Sequence, residues 1–221
     1  MTSSAAPMEA NTDEVYYRQE RLEMQALVPS DAQRVLEVGC GAGTFGAALK
    51  SRQAVEVWGI EPSRDAATRA ESALDRVLCS SIEDALSELP NGHFDWIVFN
   101  DVLEHLVDPE ATLRALLPKL AQGGGFIASI PNLRYYKVLR DLILKGEFEY
   151  VEQGVMDRTH LRFFTPKSVA RMWDRLGCEV LERQALNTRR RPWLRALALM
   201  TFGATEDIRS PQFGWRVRPR D

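Results

Sequence analysis

The stretch "VLEVGCGAGTFG", Val35 to Gly46, decides the fold of this chain. An apolar run ends in four closely spaced glycines, and a helical pattern begins among them. A glycine-rich turn between a strand and its helix holds a ligand in the crevice beyond the carboxyl ends of a parallel sheet. The turn also satisfies G-x-G-x-x-G as Gly41, Gly43 and Gly46, a pattern that by itself is only weak evidence for a dinucleotide. The stretch therefore predicts a nucleotide-like ligand above the first strand of an α/β fold.

The acidic residue Glu37, two positions before the first glycine, discriminates among such ligands. A pyrophosphate beside a partly desolvated carboxylate would be repelled by several kcal/mol. S-adenosylmethionine carries no phosphate and presents an ammonium and a sulfonium, which a carboxylate attracts. No basic residue follows the turn until Lys50, which also disfavours a phosphate. We therefore predict S-adenosylmethionine as the cofactor.

A second acidic residue, Glu61, ends the next apolar strand. A carboxylate at that position can accept hydrogen bonds from both hydroxyls of a ribose. A nicotinamide cofactor would use the same residue, so Glu61 indicates a nucleoside without identifying it. The alternative is a solvated acid that merely ends the strand.

Short apolar strands alternate with helical patterns through the middle of the chain, which predicts a parallel sheet covered by helices. The helix that begins at Asp108 has Pro109 at its first position, and the glycines after it are expected to end it. The predicted strands are 34–39, 55–60, 76–80, 94–100, 125–132, 178–186 and 212–219; the predicted helices are 44–51, 63–74, 108–120 and one that begins at Thr165. After Asn132 an amphipathic helix is expected, with an apolar side made of Tyr136, Leu139, Ile143 and Leu144.

The bulk composition indicates one domain and limits the possible partners. The chain has 221 residues, 45% of them hydrophobic, enough for a full core over 15–221, after an N-terminal arm (1–14) predicted to be disordered. A net charge of -3 gives no basic surface for nucleic acid. The chain has three cysteines, no CxxC, no signal peptide and no apolar run long enough to cross a bilayer, which predicts a cytoplasmic protein. We assign 133–165 as a cap segment inserted after the fifth strand.

Four motifs in order resemble those of the class I S-adenosylmethionine-dependent methyltransferases, over about residues 15 to 185: "VLEVGCGAG", "WGIEPS", "FDWIVFNDVLEHLVDP" and "LAQGGGFIASIPN". The resemblance implies a Rossmann-like, doubly wound α/β sheet of seven strands. Its last strand would run antiparallel, and helices would cover both faces.

The resemblance also implies which residues bind the methionine part of the cofactor. Gly39, Gly41 and Gly43 would line it. Glu37 would reach its amino group, directly or through water, and Asn100 would flank it at the end of the fourth strand.

For the nucleoside part, the resemblance implies that Glu61 holds the ribose and that Ile82 packs against the adenine. Members of the family often have an aspartate just before Ile82, whereas this chain has Ser81, whose hydroxyl would accept the adenine amino group less strongly. The lead-in segment also resembles that of the saccharide-associated branch, where Tyr17 and Arg21 would close over the cofactor. The alternative is an amphipathic helix that packs on the sheet edge.

Removal of an acceptor proton needs a base near neutrality, for which His105 and His160 are the candidates. We assign His160 and Asp101 as the catalytic residues. His160 lies in "MDRTHLRFFT", a segment that hangs over the acceptor side in this fold and mixes charged with aromatic residues. Its neighbourhood suits a polar, ring-shaped substrate. The alternative is a loop histidine that bonds only to backbone. His93 lies in a turn and is interpreted as a surface residue.

A divalent cation is a further possibility. Asp101, Glu104 and His105 have the spacing i, i+3, i+4 and would face one way on a helical turn, where His160 would complete a set of two carboxylates and two histidines. The pattern resembles the metal quartet of small-RNA 3′-end and ubiquinone-pathway O-methyltransferases. The alternative is that "LEH" packs locally, as in methyltransferases that need no metal.

The segment 188–203 places arginines beside apolar residues and predicts either packing on the sheet, which we favour, or peripheral contact with anionic lipid. The leading functional interpretation is methyl transfer to a hydroxyl of a small-molecule or saccharide acceptor. Three alternatives stay open: an N- or C-methyltransferase of a metabolite, a nicotinamide-dependent reductase and a catalytically silent cofactor-binding protein. The reductase would need a Tyr-x-x-x-Lys pair, and none lies near the fifth strand.

Overall fold

The computed structural model describes residues 21–220. Our predictions for the arm 1–14 and for Tyr17 lie outside these residues. One seven-stranded sheet organises the described chain, in the order β3-β2-β1-β4-β5-β7-β6. Its strands are Arg34–Val38 (β1), Glu56–Ile60 (β2), Arg76–Leu78 (β3), Phe94–Asn100 (β4), Leu120–Pro131 (β5), Cys178–Leu186 (β6) and Gln212–Pro219 (β7).

Helices cover both faces of the sheet, as predicted. Alternate residues of β4 point to opposite sides, so Ile97 and Phe99 enter one apolar cluster while Trp96 and Val98 enter the other. The helices are Leu22–Gln25 (α1), Thr44–Arg52 (α2), Arg64–Ala70 (α3), Ile82–Ala85 (α4), Pro109–Leu116 (α5), Tyr136–Arg140 (α6), Pro166–Arg175 (α7) and Pro192–Met200 (α8). Residues of α1, α2 and α3 pack on the Val98 side, and residues of α4, α5 and α7 pack on the Phe99 side.

Strand β7 confirms the predicted antiparallel last strand. It lies between β5 and β6 and runs antiparallel to both, with Ser129 opposite Gly214 on β5 and Gln184 opposite the same glycine on β6. The parallel strands β1 and β4 are neighbours at the centre, where Glu37 is aligned with Val98. Their carboxyl ends therefore open at one edge, where a crevice forms at the point at which the strand order reverses.

Two local expectations were wrong. The glycines after α5 do not end that helix: it ends at Leu116 and a 3-10 turn, Leu117–Lys119, follows it. Gly123 lies inside β5, which begins at Leu120 because its first residues already pair with β4 across a register irregularity. The start of α5 is as predicted, since the Asp108 side chain accepts a hydrogen bond of 3.0 Å from the Ala111 amide.

The second wrong expectation is the amphipathic helix that we predicted after Asn132, in the segment between β5 and α7. Helix α6 continues as a π-helical turn, Asp141–Lys145, and only its first part is buried. Ile143 and Leu144 are 73% and 77% exposed, so the apolar side of the predicted amphipathic helix does not face the core at that end. The rest of the segment is irregular and contains one isolated bridge, between Val151 and Asp157.

The C-terminal region packs on this segment through α8. Leu194 is fully buried against Tyr135, Tyr136 and Ile208, so the segment 188–203 packs on its own protein as we favoured, but on the cap segment and not on the sheet. Among residues 21–220, none of the helices combines the length and the apolar character that a bilayer-spanning segment requires.

Candidate active site

The turn after β1 has the backbone conformation that its glycines allow. Gly39 and Gly43 have φ angles of 72° and 78°, in the left-handed region that side chains disfavour. A Cβ on Gly39 would lie 2.6 Å from a methyl of Val102, so this glycine also permits a close approach. The turn can therefore present backbone amides to a ligand without a side chain in the way.

Glu61 organises this turn from the neighbouring strand. Its carboxylate accepts hydrogen bonds from the amides of Gly41 and Ser63, each 2.9 Å long, and the residue is buried. The first of these bonds ties the end of β2 to the turn after β1. Each carboxylate oxygen can accept further bonds, so Glu61 retains capacity for a ribose.

A cavity of about 450 Å³ opens beside the turn. Its wall includes the following predicted cofactor residues: Glu37, Gly39, Gly41, Glu61, Ser81, Ile82 and Asn100. Gly43 does not line the cavity; it faces Ala70 and Leu74 at the start of α2. Arg21 and His105 also line the wall, together with residues that our sequence analysis did not single out, among them Cys40, Phe45 and Leu106.

Ser81, at the adenine end that we predicted, is already engaged. Its hydroxyl accepts a bond of 3.2 Å from the Asp84 amide as the N-cap of α4 and donates one of 2.9 Å to the Asp84 carboxylate. The serine that replaces the expected aspartate therefore caps the short helix as well. The Ser81 hydroxyl therefore has one lone pair left with which to accept a hydrogen bond from a ligand.

Glu37 lies on the wall of the same cavity, at the end opposite Ser81. One carboxylate oxygen accepts a bond of 3.2 Å from the Asn100 amide, whereas the other is buried without a partner among the described residues. Burial raises the pKa of Glu37 to about 8, against the weaker opposing effects of the Asn100 bond, of the Gly46 backbone amide and of Arg21. A buried carboxyl with an unused oxygen fits a cationic guest such as an ammonium group.

Asp101 is held by three side chains. Arg21 contacts one oxygen at 2.5 Å, Ser129 donates a bond of 2.7 Å to the other, and Gln212 also donates to that second oxygen. The Asp101 backbone has a φ of 58°, an uncommon conformation for a residue with a side chain. The sequence did not predict the roles of Ser129 and Gln212, because these residues lie on β5 and β7, far from Asp101 along the chain, and no local pattern distinguishes them.

Three of the four predicted metal ligands come together. Ligand atoms of Glu104, His105 and His160 all lie within 4.8 Å of one another. Asp101 is not part of this group, because its carboxylate points into the network with Arg21. Glu104 is almost fully buried, and both of its carboxylate oxygens lack a hydrogen-bond partner in the described region.

Backbone carbonyls orient the two histidines. The Nδ1 atoms of His105 and His160 lie 3.2 Å from the carbonyl oxygens of Thr159 and Val155, so each Nδ1–H donates and each Nε2 is left as an acceptor. The Nε2 of His160 lies 3.9 Å from a Glu104 oxygen. Carbonyl-oriented histidines of this kind are usual in metal sites and in acid–base catalysis.

The surroundings of Glu104 and His160 favour the neutral form of each side chain. Burial and then the charge of Asp101 raise the pKa of Glu104 well above its usual value. Burial and the neighbouring His105 lower the pKa of His160. His160 is therefore neutral at neutral pH, which is the form that can take up a proton or bind a metal.

Aromatic rings lie beside His160, on the side where we predicted the acceptor. Phe148, Tyr150 and Phe163 lie within 6.1 Å of one another between ring centroids, and Phe163 lies 6.3 Å from His160. Phe148 and Tyr150 are each 47% exposed, so part of this cluster remains open to a ligand. Such a surface suits a ring-shaped molecule.

Comparisons of the sequence with known proteins found methyltransferases. A family described as a methyltransferase domain matches residues 11–183. A ubiquinone biosynthesis O-methyltransferase of Neisseria meningitidis is 29% identical over 163 residues, which cover 70% of this chain and 67% of that protein.

Solved structures share the fold. A SAM-dependent methyltransferase from Archaeoglobus fulgidus superposes with a TM-score of 0.63 at 20% identity and covers 95% of both chains. A SAM-dependent methyltransferase from Thermotoga maritima, described as a possible histamine N-methyltransferase, has a TM-score of 0.63 at 20% identity, over 94% of this chain and 91% of that one.

Proposed function

Because the chain belongs to the methyltransferase domain family and is an S-adenosylmethionine-dependent methyltransferase of class I fold, we propose that it methylates a hydroxyl of a small-molecule or sugar-containing acceptor. The observation that carries the proposal is the position of His105 on the cavity wall in ring contact with His160, at 4.9 Å between centroids. His160 would thus provide a neutral base where the cavity meets the proposed acceptor side. The relative named as an O-methyltransferase supports oxygen as the acceptor atom.

The cofactor would lie along the cavity from Ile82 to Arg21. Glu61 would hold the ribose, Glu37 the ammonium, and Arg21 the carboxylate, because Arg21 places a guanidinium on the cavity wall. The unpaired buried oxygen of Glu37 is the observation that this arrangement would satisfy. The bound cofactor supplies an electrophilic methyl group on sulfur.

The residues on the acceptor side would position the hydroxyl and take its proton. Nε2 of His160 would accept the proton as the oxygen bonds to the methyl carbon and the electron pair of the broken carbon–sulfur bond stays on sulfur. Phe163 and its aromatic neighbours would hold the ring of the acceptor in line. A base matched to neutral pH typically contributes about 10²- to 10⁴-fold to the rate.

A direct test measures S-adenosylhomocysteine release with panels of phenolic, saccharide and amine acceptors. His160→Ala should abolish most transfer to oxygen, whereas His93→Ala, which alters a histidine packed on Trp58 and Phe94 at the opposite end of β4, should not. Transfer only to amines, unaffected by His160→Ala, would instead support the N-methyltransferase alternative. Cofactor binding without transfer to any acceptor would favour the silent binding protein.

We also propose that Glu104, His105 and His160 can hold a divalent cation. Their fit rests on the two unpaired, buried oxygens of Glu104 and on the carbonyl-oriented imidazoles. A cation bound there would occupy Nε2 of His160, so His160 would act as a ligand and not as the base in that case. The cation would instead lower the pKa of an acceptor hydroxyl, whose proton would pass to water. Thermal unfolding after exhaustive EDTA treatment, with and without Mn²⁺ or Mg²⁺, tests binding independently of activity. Equal melting temperatures for wild type and Glu104→Gln in all conditions would end the metal proposal.

The three cysteines of the chain are free, and Cys40 and Cys178 are buried. This supports a reducing, cytoplasmic compartment as part of the proposal.

A further inference from the structure

Helix α8 and the residues after it expose an apolar surface. Leu199, Met200 and Phe202 are 80%, 71% and 100% exposed, and Trp193 is half-exposed. The opposite side of the helix is apolar too, because Leu194 is fully buried in the cluster with Tyr135, Tyr136 and Ile208. A helix that packs one apolar side on its own protein rarely carries a second one toward water.

A second exposed apolar stretch follows α6. Ile143 and Leu144 are mostly exposed at the end of the π-helical turn. The two helices are neighbours, because the rings of Tyr136 and Trp193 lie 5.6 Å apart and the guanidinium of Arg191 lies 5.7 Å from the centre of the Tyr136 ring. Both helices thus begin at this shared contact. The exposed apolar side chains lie further along each, in the π-helical turn after α6 and at the end of α8.

The charge around α8 is strongly positive. Residues 187–204 contain four arginines and no acidic residue, although the whole chain has a net charge of -3. The side chains of Arg190 and Arg195 are exposed, and neither forms an ion pair or a hydrogen bond with another described residue. The acidic side chains nearest along the chain pair with other arginines: Glu182 with Arg216 at 3.1 Å, and Glu206 with Arg209 at 4.0 Å. Asp207 pairs with Arg134 at 3.3 Å, and Asp141, after α6, pairs with Lys145 at 3.1 Å.

We propose that the α8 surface, formed by residues 190–202 together with 142–144, docks on an anionic lipid bilayer. The exposed apolar side chains favour a non-aqueous partner, and the unpaired arginines can bind phosphates beside it. A bilayer interface supplies both, and a tryptophan at the boundary is typical of such helices. A symmetric contact with a second copy would instead bring the arginines of both copies together, which costs electrostatic energy.

Sedimentation of the full chain with vesicles tests the proposal. We expect the protein to pellet with phosphatidylcholine vesicles that contain phosphatidylglycerol, to stay soluble with pure phosphatidylcholine, and to dissociate as salt is added. The double variant Arg190→Glu/Arg195→Glu should bind at least about thirtyfold more weakly, because each basic residue near an anionic surface contributes about fivefold. Leu199→Ser/Phe202→Ser should also lose binding, even at low salt.

Trp193 reports the orientation. The other four tryptophans are buried or half-buried, so quenching by brominated lipid should remove mainly the emission of Trp193 and should be lost in Trp193→Phe. Matched controls are Arg171→Glu and Leu181→Ser, exposed positions on α7 and β6, which should bind like wild type.

Two results would overturn the proposal. The first is failure to see the expected difference in vesicle binding: either the wild type does not sediment with anionic vesicles, or Arg190→Glu/Arg195→Glu and Leu199→Ser/Phe202→Ser sediment with them as well as the wild type does. The second is a dimer in sedimentation velocity that Phe202→Ser dissolves while vesicles leave the protein in solution, since the occupant would then be a second copy. Binding of S-adenosylhomocysteine by every variant, measured by thermal shift, confirms folding and keeps this test separate from that of the methyltransferase function.

Discussion

The substitution Glu37→Gln tests the electrostatic argument for the cofactor cavity most directly. The folded chain holds the pKa of Glu37 at about 8, against 4.5 for an unperturbed carboxyl, so between these values the folded state binds a proton that the unfolded state has released. Stability is therefore fully present below the lower value and falls as the pH rises through the upper one. Each pH unit within this window removes about 1.4 kcal/mol.

The variant should lose this pH dependence. Between about pH 5 and pH 7 the unliganded wild type should lose about 3 kcal/mol relative to Glu37→Gln, roughly 5 to 10 °C in melting temperature for a chain of this size. The glutamine side chain has the shape of the protonated glutamic acid, and it keeps the oxygen that accepts a hydrogen bond from Asn100. Urea unfolding of both proteins across the pH range gives the difference directly.

Cofactor binding should respond in the opposite direction. An ammonium group requires ionised Glu37, so wild-type affinity for S-adenosylhomocysteine should rise about tenfold per pH unit up to the pKa and release nearly one proton at neutral pH. Glu37→Gln should show neither effect and should bind about 10- to 100-fold more weakly at pH 8, where a charge-assisted bond is lost. Calorimetry in buffers of different ionisation enthalpy counts the protons.

Glu88→Gln is the matched control, because it makes the same change at an exposed acid whose ion pair with Arg76 spans 3.7 Å. Its stability and affinity should follow those of wild type at every pH. Parallel stability curves for wild type and Glu37→Gln would refute our account of the buried carboxyl. Wild-type affinity that does not change with pH would refute its contact with the ammonium group.

Three further predictions concern single positions. Gly123→Ala should lower the free energy of unfolding, measured in urea, by about 1–2 kcal/mol, because the φ of Gly123 is positive although an added Cβ would meet no other atom. Gly39→Ala should lower it further and should also weaken cofactor binding, because Val102 lies 2.6 Å from the added carbon. Thr165→Ala should cost about 1 kcal/mol and leave cofactor affinity unchanged, because it removes only the capping box of α7. Arg21→Ala should weaken calorimetric binding of S-adenosylhomocysteine but not of adenosine, which has no carboxylate; equal losses for both ligands would contradict the placement of Arg21.

Local sequence patterns predicted most of the sheet and the binding turn. Strand periodicity and the glycines after Val38 identified β1 and its turn, because backbone conformation there depends on adjacent residues. Prediction was poorer after Asn132. Ile143 and Leu144 follow a helical period, but the period cannot say whether another element covers that side.

The sequence by itself determined the parallel sheet, the cavity position and the acidic residues Glu37 and Glu61 that line it, because periodicity and motif spacing act over a few neighbouring residues. Only the tertiary structure decided how Asp101 is used. Ser129 and Gln212 reach it from β5 and β7, and Arg21 from beside α1, so its carboxylate is held away from Glu104 and the histidines. Contacts between such distant residues depend on how the strands are ordered, and no local pattern encodes that order.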